Sequence, residues 1–185
     1  MKIVLNECYG GFGLSYEAKA LYLLAKGQTP YFYADVSSYN DYKKIPRYQL
    51  VSLKDIPKLN HVLFIYCTST YQGDVIDDYP KDVISDTALE RTDPDLVSVV
   101  EVMGSKAASG RYAHLVVEEL PDGSLYKIDE YDGIESLITQ DDDDWLIARD
   151  HDTDPSNKQH IENLWATIKP SPDYYDPDLM FRYDK

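Results

Sequence analysis

The stretch KIVLNECYGGFGLSYEAKALYLLAKG, which begins at the second residue, constrains the fold more than any other part of the chain. An apolar run over residues 2–8 suits a buried strand, the glycines that follow force a corner, and a helix is expected from about Ser15 to Lys26. Ala18, Leu21, Tyr22 and Ala25 then share one face, and Gly27 stops the helix. TPYFYADV reads as a second strand, so the first 37 residues form a strand-helix-strand unit whose strands are expected to run parallel.

The rest of the chain adds elements of both kinds. HVLFIYC has the composition of a strand, and RTDPDLVSVVEVMG is a helix with Asp93 as N-cap, Pro94 in the first position and Gly104 past its end. YAHLVVEEL and LYKIDEY flank the turn sequence PDGS, which predicts an antiparallel hairpin between them. PSNKQHIENLWATI places Ile161, Leu164, Trp165 and Ile168 on one helical face, with Pro170 beyond it. The expected class is mixed α/β (α+β), with the strand at residues 2–8 central in a mixed sheet flanked by about three helices. A chain of 185 residues supports one core of ordinary size. One globular domain is expected over residues 1–170, with residues 171–185, SPDYYDPDLMFRYDK, as an acidic, tyrosine-rich tail or a surface strap.

The glycine corner invites comparison with phosphate-binding loops. A Walker loop needs a lysine before its Ser or Thr, and here Leu14 precedes Ser15. A dinucleotide fingerprint finds two of its glycines in Gly11 and Gly13, but Tyr16 holds the third position. A phosphatase-type loop would set Cys8 six residues before an arginine, and position 14 is leucine. A nucleotide site at this corner would draw on Cys8, Gly10, Gly11, Gly13 and Ser15, with Asp35 at the end of the second strand to hold a ribose. The plainer reading is a strand-to-helix turn in which glycines relieve backbone strain, with Tyr9 and Phe12 packed beneath it.

No other pattern points to metal or cofactor chemistry. DHDTD spaces Asp150, Asp152 and Asp154 like the start of a calcium loop, but Pro155 stands where the glycine belongs and Ile161 where the bidentate glutamate belongs. His61, His114, His151 and His160 lack zinc-site spacing. Cys8 and Cys67 each fall near the end of an apolar run, which predicts two reduced, buried thiols. The residues therefore call for no cofactor and no metal. With no run of 18 apolar residues and no signal-peptide pattern, a soluble cytoplasmic protein is expected.

Charge is distributed unevenly. Residues 1–60 carry eight Lys or Arg against five Asp or Glu, a net +3; residues 61–185 carry ten against 28, a net −18, giving −15 for the chain. Such a surface repels nucleic acid and anionic lipid and favours partners with basic grooves. Tyrosine occurs 17 times, often beside carboxylates. Asp141, Asp142, Asp143, Asp144, Asp150, Asp152 and Asp154 crowd one segment with a single arginine, and Asp129, Glu130, Tyr131 and Asp132 form a second acidic cluster. Carboxylates on a rigid scaffold stand in for phosphates, and tyrosine adds contact area at low entropic cost.

The opening MKIV.N.CYGGFGLS, the helix RTDPDLVSVVEVMG and the ending IDEYDG resemble a family of small proteins encoded by phages and prophages of gut bacteria, over about two thirds of the chain. Within that family the resemblance extends to type II-A anti-CRISPR proteins, inhibitors of Cas9. It implies a non-enzymatic inhibitor acting in the bacterial host cytoplasm, which binds Cas9 with its guide RNA and interferes with target DNA recognition or cleavage. No catalytic residues are implied. Against this stands a small-molecule or nucleotide-binding protein, a sponge for a defence signal or a nucleotide-processing enzyme, working at the CYGGFG corner.

Overall fold

The computed structural model describes residues 1–37, 46–59, 62, 64–139, 146–147 and 155–168. Its strands are β1 (Lys2–Asn6), β2 (Tyr31–Asp35), β3 (Tyr48–Val51), β4 (Ile65–Thr68), β5 (Val75–Ile76), β6 (Leu115–Glu119), β7 (Leu125–Tyr131), β8 (Ile134–Ile138) and β9 (Leu146–Ile147). Its helices are α1 (Tyr16–Ala25), α2 (Pro94–Met103), α3 (Ser105–Ala108) and α4 (Pro155–Ile168). The mixed α/β class expected from the sequence is observed. No helix among the described residues is long and apolar enough to cross a membrane.

The helix boundaries follow their capping chemistry. Ser15 Oγ accepts from the Ala18 N–H at 3.1 Å and starts α1; beyond its end, Gly27 adopts φ +71. Asp93 caps α2 by accepting from the Asp95 N–H at 2.9 Å, with Pro94 in the first turn and Gly104 at φ +77 as its stop. Ile161 of α4 is fully buried, with Leu164, Trp165 and Ile168 partly buried beside it.

Strand pairing departs from the sequence reading in two ways. β1 pairs antiparallel with β6, from Lys2↔Glu119 to Asn6↔Leu115, whereas β2 belongs to a separate four-stranded sheet of order β4-β2-β3-β5. The two strands around α1 are therefore not parallel neighbours. The cause lies in α1, which is apolar on two faces: Ala18 and Leu21 pack with α2, α4 and β6, while Ala20 and Leu23 pack on Phe32 and Cys67 of the four-stranded sheet. A helix buried on both sides separates two sheets instead of returning to one. β1 is central by burial, though not by pairing: Val4 faces the helices, and Ile3 and Leu5 face Leu120 and Tyr126 on the opposite side.

The second departure concerns the hairpin. β6 and β7 do not pair; β7 pairs with β8, from Lys127↔Ile138 to Tyr131↔Ile134, and with β9. The turn that decides this is Asp132-Gly133, with φ +52 and +88, the two-residue geometry that matches strand twist. Beyond β6 the chain is held to the N-terminus, where Leu120 N–H donates to the Met1 carbonyl at 2.8 Å and the Met1 amino group donates to Leu120 O at 2.7 Å. The chain thus leaves β6 beside β1, and PDGS serves as a connection between two layers.

α1 and α2 are joined through Asp93, which accepts from the Tyr22 hydroxyl at 2.8 Å and from Lys26 Nζ at 2.9 Å, while Lys26 also pairs with Asp95 at 2.7 Å. Burial pushes the Asp93 carboxyl upward, but the donors from Lys26, Tyr22 and the Asp95 N–H outweigh it and hold the group below its ordinary value of 3.8. A depressed carboxyl stabilises the fold above that ordinary value and ceases to do so as pH falls through the folded one. Asp93→Asn keeps an N-cap acceptor and removes the charge; because Lys26 is partly solvated, the expected loss is about 1 kcal/mol at neutral pH. In urea titrations across pH, the two proteins should differ at neutral pH and converge below 3.8. A difference that persists unchanged in acid would show that the ion pair contributes nothing.

Candidate functional site

The glycine corner begins with a polar residue inside a buried strand. Asn6 ends β1 fully buried, and its amide donates to the carbonyls of Cys8 and Gly133, both at 2.6 Å, while its Oδ1 accepts from the His114 N–H at 2.8 Å. One side chain thereby joins the loop after β1, the turn between β7 and β8 and the entry to β6. The Asn6 N–H donates to Glu135 Oε2 at 3.0 Å. Glu135 Oε1 accepts from Arg91 Nη2 at 2.8 Å, and both side chains of this ion pair are largely buried. Arg91 Nη1 donates to Leu89 O at 3.0 Å, and the guanidinium carbon lies 3.5 Å from the centre of the Phe12 ring. A buried carboxylate and a buried guanidinium therefore have hydrogen-bonding partners throughout, as burial requires.

Two glycines allow backbone to lie on backbone here. A Cβ on Gly133 would stand 2.3 Å from the Gly11 nitrogen and 2.8 Å from its Cα, and one on Gly10 would stand 2.5 Å from the Tyr112 carbonyl oxygen. The second half of the loop is engaged as well. Gly110 N–H donates to Gly13 O at 2.8 Å, Ser15 N–H to Ala108 O at 2.8 Å, and Leu14 bridges to Ser109.

This packing bears on the nucleotide reading. Ser15 Oγ both caps α1 and donates to Ala107 O at 2.7 Å. The Asp86 carboxylate lies against the loop, accepting from the Leu14 N–H at 3.4 Å and pairing with Lys19 at 2.8 Å, so that a phosphate approaching Leu14 would meet like charge. Asp35 sits on β2 in the other sheet, with its carboxylate accepting from the Ser37 N–H at 2.9 Å. Among the described residues, no group of three or more His, Cys, Asp or Glu is placed to hold a metal ion. A groove of about 410 Å³ between α1, β2, β3 and the end of α4 is lined by Ala20, Phe32, Leu53 and Ile168 among others, and none of the described residues that line it is charged.

The cysteines and aromatics of the corner correct two expectations. β1 ends at Asn6, so Cys8 lies in the loop and is only partly buried, its thiol within 3.3 Å of the Tyr9 carbonyl. Cys67 is the buried thiol, and burial pushes it up to about 12. Phe12 packs inward, as expected, but Tyr9 does not lie beneath the loop; it is 64% exposed.

What the corner presents to solvent is aromatic and acidic. Tyr9 and Tyr112, 65% exposed, flank the Gly10 contact, and Tyr131, 77% exposed, stands at the end of β7 beside the turn that covers Gly11. Asp129, Glu130 and Asp132 are exposed at the same hairpin end, with Glu130 Oε1 accepting from the Gly133 N–H at 2.8 Å. Exposed Glu7 faces His114, with 3.8 Å between Oε2 and Nδ1. The residues that the sequence offered to two rival readings, Cys8 to Gly13 and Asp129 to Asp132, thus meet in one place. Asp141, Asp142, Asp143, Asp144, Asp150, Asp152, Asp154 and the tail 171–185 lie outside the described residues.

Sequence reasoning missed Asn6, Arg91, Tyr112 and Glu135. Asn6 was detectable as the one amide in an apolar strand, and the Asp132-Gly133 dipeptide was the stronger hairpin signal. The Arg91–Glu135 pair spans 44 residues and left no local pattern. Compared with protein-family models, with curated proteins and with solved structures, the chain matches none.

Proposed function

We propose that this protein is a non-enzymatic inhibitor of bacterial immunity, encoded by a phage or mobile element and acting in the host cytoplasm. It binds the basic nucleic-acid-binding surface of a defence effector, with Cas9 carrying its guide RNA as the leading target. The observation that carries the reading is the glycine corner, where Tyr9, Tyr112 and Tyr131 stand exposed among Glu7, Asp129, Glu130 and Asp132 on a backbone locked by Asn6 and Gly133. A scaffold that does not reorganise on binding loses little conformational entropy, and tyrosine supplies contact area with few rotamers. Carboxylates held this way complement the arginines with which Cas9 reads its adjacent motif and the basic channel around its heteroduplex. The resemblance of the opening, of the α2 segment and of IDEYDG to phage-encoded inhibitors agrees with this chemistry, as does the net charge of −15.

The test measures affinity for Cas9 with guide RNA, and inhibition of target cleavage, for a variant combining Asp129→Asn, Glu130→Gln, Tyr131→Ala and Asp132→Asn. The amides retain the turn acceptor and the tolerance of positive φ, so the fold is preserved. Single rim charges contribute little, but the four changes together should weaken binding by about 30- to 1000-fold, and binding should also weaken as salt rises. Unchanged affinity in this variant, with loss on neutralising the aspartates of residues 141–154, would transfer the contact to that segment. Absence of binding by the unaltered protein would overturn the proposal.

A further inference from the structure

The outer face of the four-stranded sheet is a second surface, built from elements other than the glycine corner. Side chains alternate along β2 and β4: Phe32 and Cys67 point to α1, which leaves Tyr33 and Tyr66 on the opposite side in the pair Tyr33↔Tyr66. Tyr48 of β3 joins them there. The Tyr48 and Tyr66 ring centres lie 5.7 Å apart, and Tyr79, from the segment after β5, packs edge-on against both, at 6.0 and 5.0 Å. Phe64 stacks on Tyr66 at 6.5 Å with 26° between the planes.

The rings are too close to one another to enclose a ligand between them, so the cluster is a platform and not a cage. Its outermost members are strongly solvated: Phe64 is 53% exposed and Tyr79 52%. Two aromatic rings left in water on a sheet face whose other members are well packed form a contact surface that the fold does not need. Acidic residues border it on the side of Tyr79. The segment 74–82, DVIDDYPKD, carries four aspartates against one lysine, and Asp77 and Asp78 are exposed immediately before Tyr79. Asp35 stands opposite Tyr48 in the β2–β3 register, and Asp78 Oδ1 accepts from the Tyr79 N–H at 2.8 Å, so both acids lie beside the platform; burial and these carboxylates push the Tyr48 hydroxyl upward.

We propose that the Phe64–Tyr79 platform binds an arginine-bearing segment of a protein partner, with the guanidinium stacked on the exposed rings and paired to Asp77 and Asp78. Arginine fits better than lysine, because a planar, weakly hydrated guanidinium stacks on a ring face while its edge reaches a carboxylate. Single-stranded nucleic acid also stacks on exposed rings, but its phosphates would approach Asp77 and Asp78. This surface stands whether or not the glycine corner binds Cas9.

Isothermal titration with a glycine-arginine repeat peptide, its lysine counterpart and a single-stranded oligonucleotide tests the assignment. The arginine peptide should bind more tightly than the lysine peptide, and the oligonucleotide should not bind. Phe64→Ala with Tyr79→Ala leaves every charge in place and should weaken arginine-peptide binding by about tenfold, whereas Glu119→Gln with Glu162→Gln, exposed acids of β6 and α4 assigned to neither surface, should not. Thermal melting of the double variant confirms folding; should it melt early, Asp77→Asn with Asp78→Asn provides the second reading and should also weaken the arginine peptide. Equal binding of both peptides, arginine-peptide affinity unaffected by both platform variants, or binding of the oligonucleotide would overturn the proposal.

Discussion

Gly133→Ala is expected to destabilise the protein by roughly 2–5 kcal/mol, since forced overpacking costs about 1–3 and a left-handed backbone with a Cβ costs a further 1–2. The added methyl would meet backbone atoms, Gly11 nitrogen at 2.3 Å and Gly10 nitrogen at 2.9 Å, which cannot rotate aside as a side chain would. Either the hairpin lifts from the loop, or the loop breaks its own hydrogen bonds. For a chain of this length the thermal midpoint should fall by about 10 °C. Gly123→Ala is the matched control, because Gly123 also has a positive φ, +82, but a Cβ there would meet nothing within 4 Å. It should lose only the backbone term, about 1–2 kcal/mol. Equal losses in the two variants, measured by urea and thermal unfolding, would mean that the close approach of hairpin and loop does not matter to stability. The same variant should also lower partner affinity, since it displaces Tyr131 from Tyr9 and Tyr112 without removing any of them.

The second large effect belongs to the ion pair beneath that corner. Arg91→Ala should cost about 3–5 kcal/mol, the usual consequence of leaving one partner of a buried pair uncompensated. Glu135 would keep the Asn6 N–H but lose its cation, the Leu89 and Asp86 carbonyls would lose a donor, and the Phe12 ring would lose its cover. Arg91→Lys should recover only part of this, since an ammonium group cannot reach the carboxylate and two carbonyls at once. Replacing both partners, Arg91→Met with Glu135→Leu, removes the desolvated charges together and should cost less than either single change. A double-mutant cycle by chemical denaturation measures this directly, and simple additivity of the two losses would show that the pair is not coupled.

The local elements of this fold were legible in the sequence because their signals are short-range. Ser15 with Gly27 and Asp93 with Pro94 and Gly104 mark helix ends through hydrogen bonds and backbone angles within a few residues, and those helices lie where the caps place them. Ile161, Leu164, Trp165 and Ile168 identify the buried side of α4 by the helical period alone. The acidic, tyrosine-bearing character of residues 129–132 could likewise be read directly, and those residues are exposed.

Which strand lies beside which was settled at longer range. β1 takes β6 as its neighbour, over a separation of more than a hundred residues, because the helices bury one face of that ribbon and the β7–β8 hairpin buries the other. α1 divides two sheets because Ala20 and Leu23, off the face that periodicity singled out, meet Phe32 and Cys67. The character of the glycine corner was a tertiary matter too. A glycine run after a strand is compatible with a phosphate cradle and with a packing joint, and the sequence of the loop is the same for both. Gly133, brought over Gly11 by a hairpin turn more than 120 residues away, lies against the backbone of Gly10 and Gly11, and the Asn6 amide donates to its carbonyl. The chain alone determined its caps, its helical faces and its charge; the packing of backbone on backbone determined that the β7–β8 turn lies on the loop and that three tyrosines stand in solvent around it.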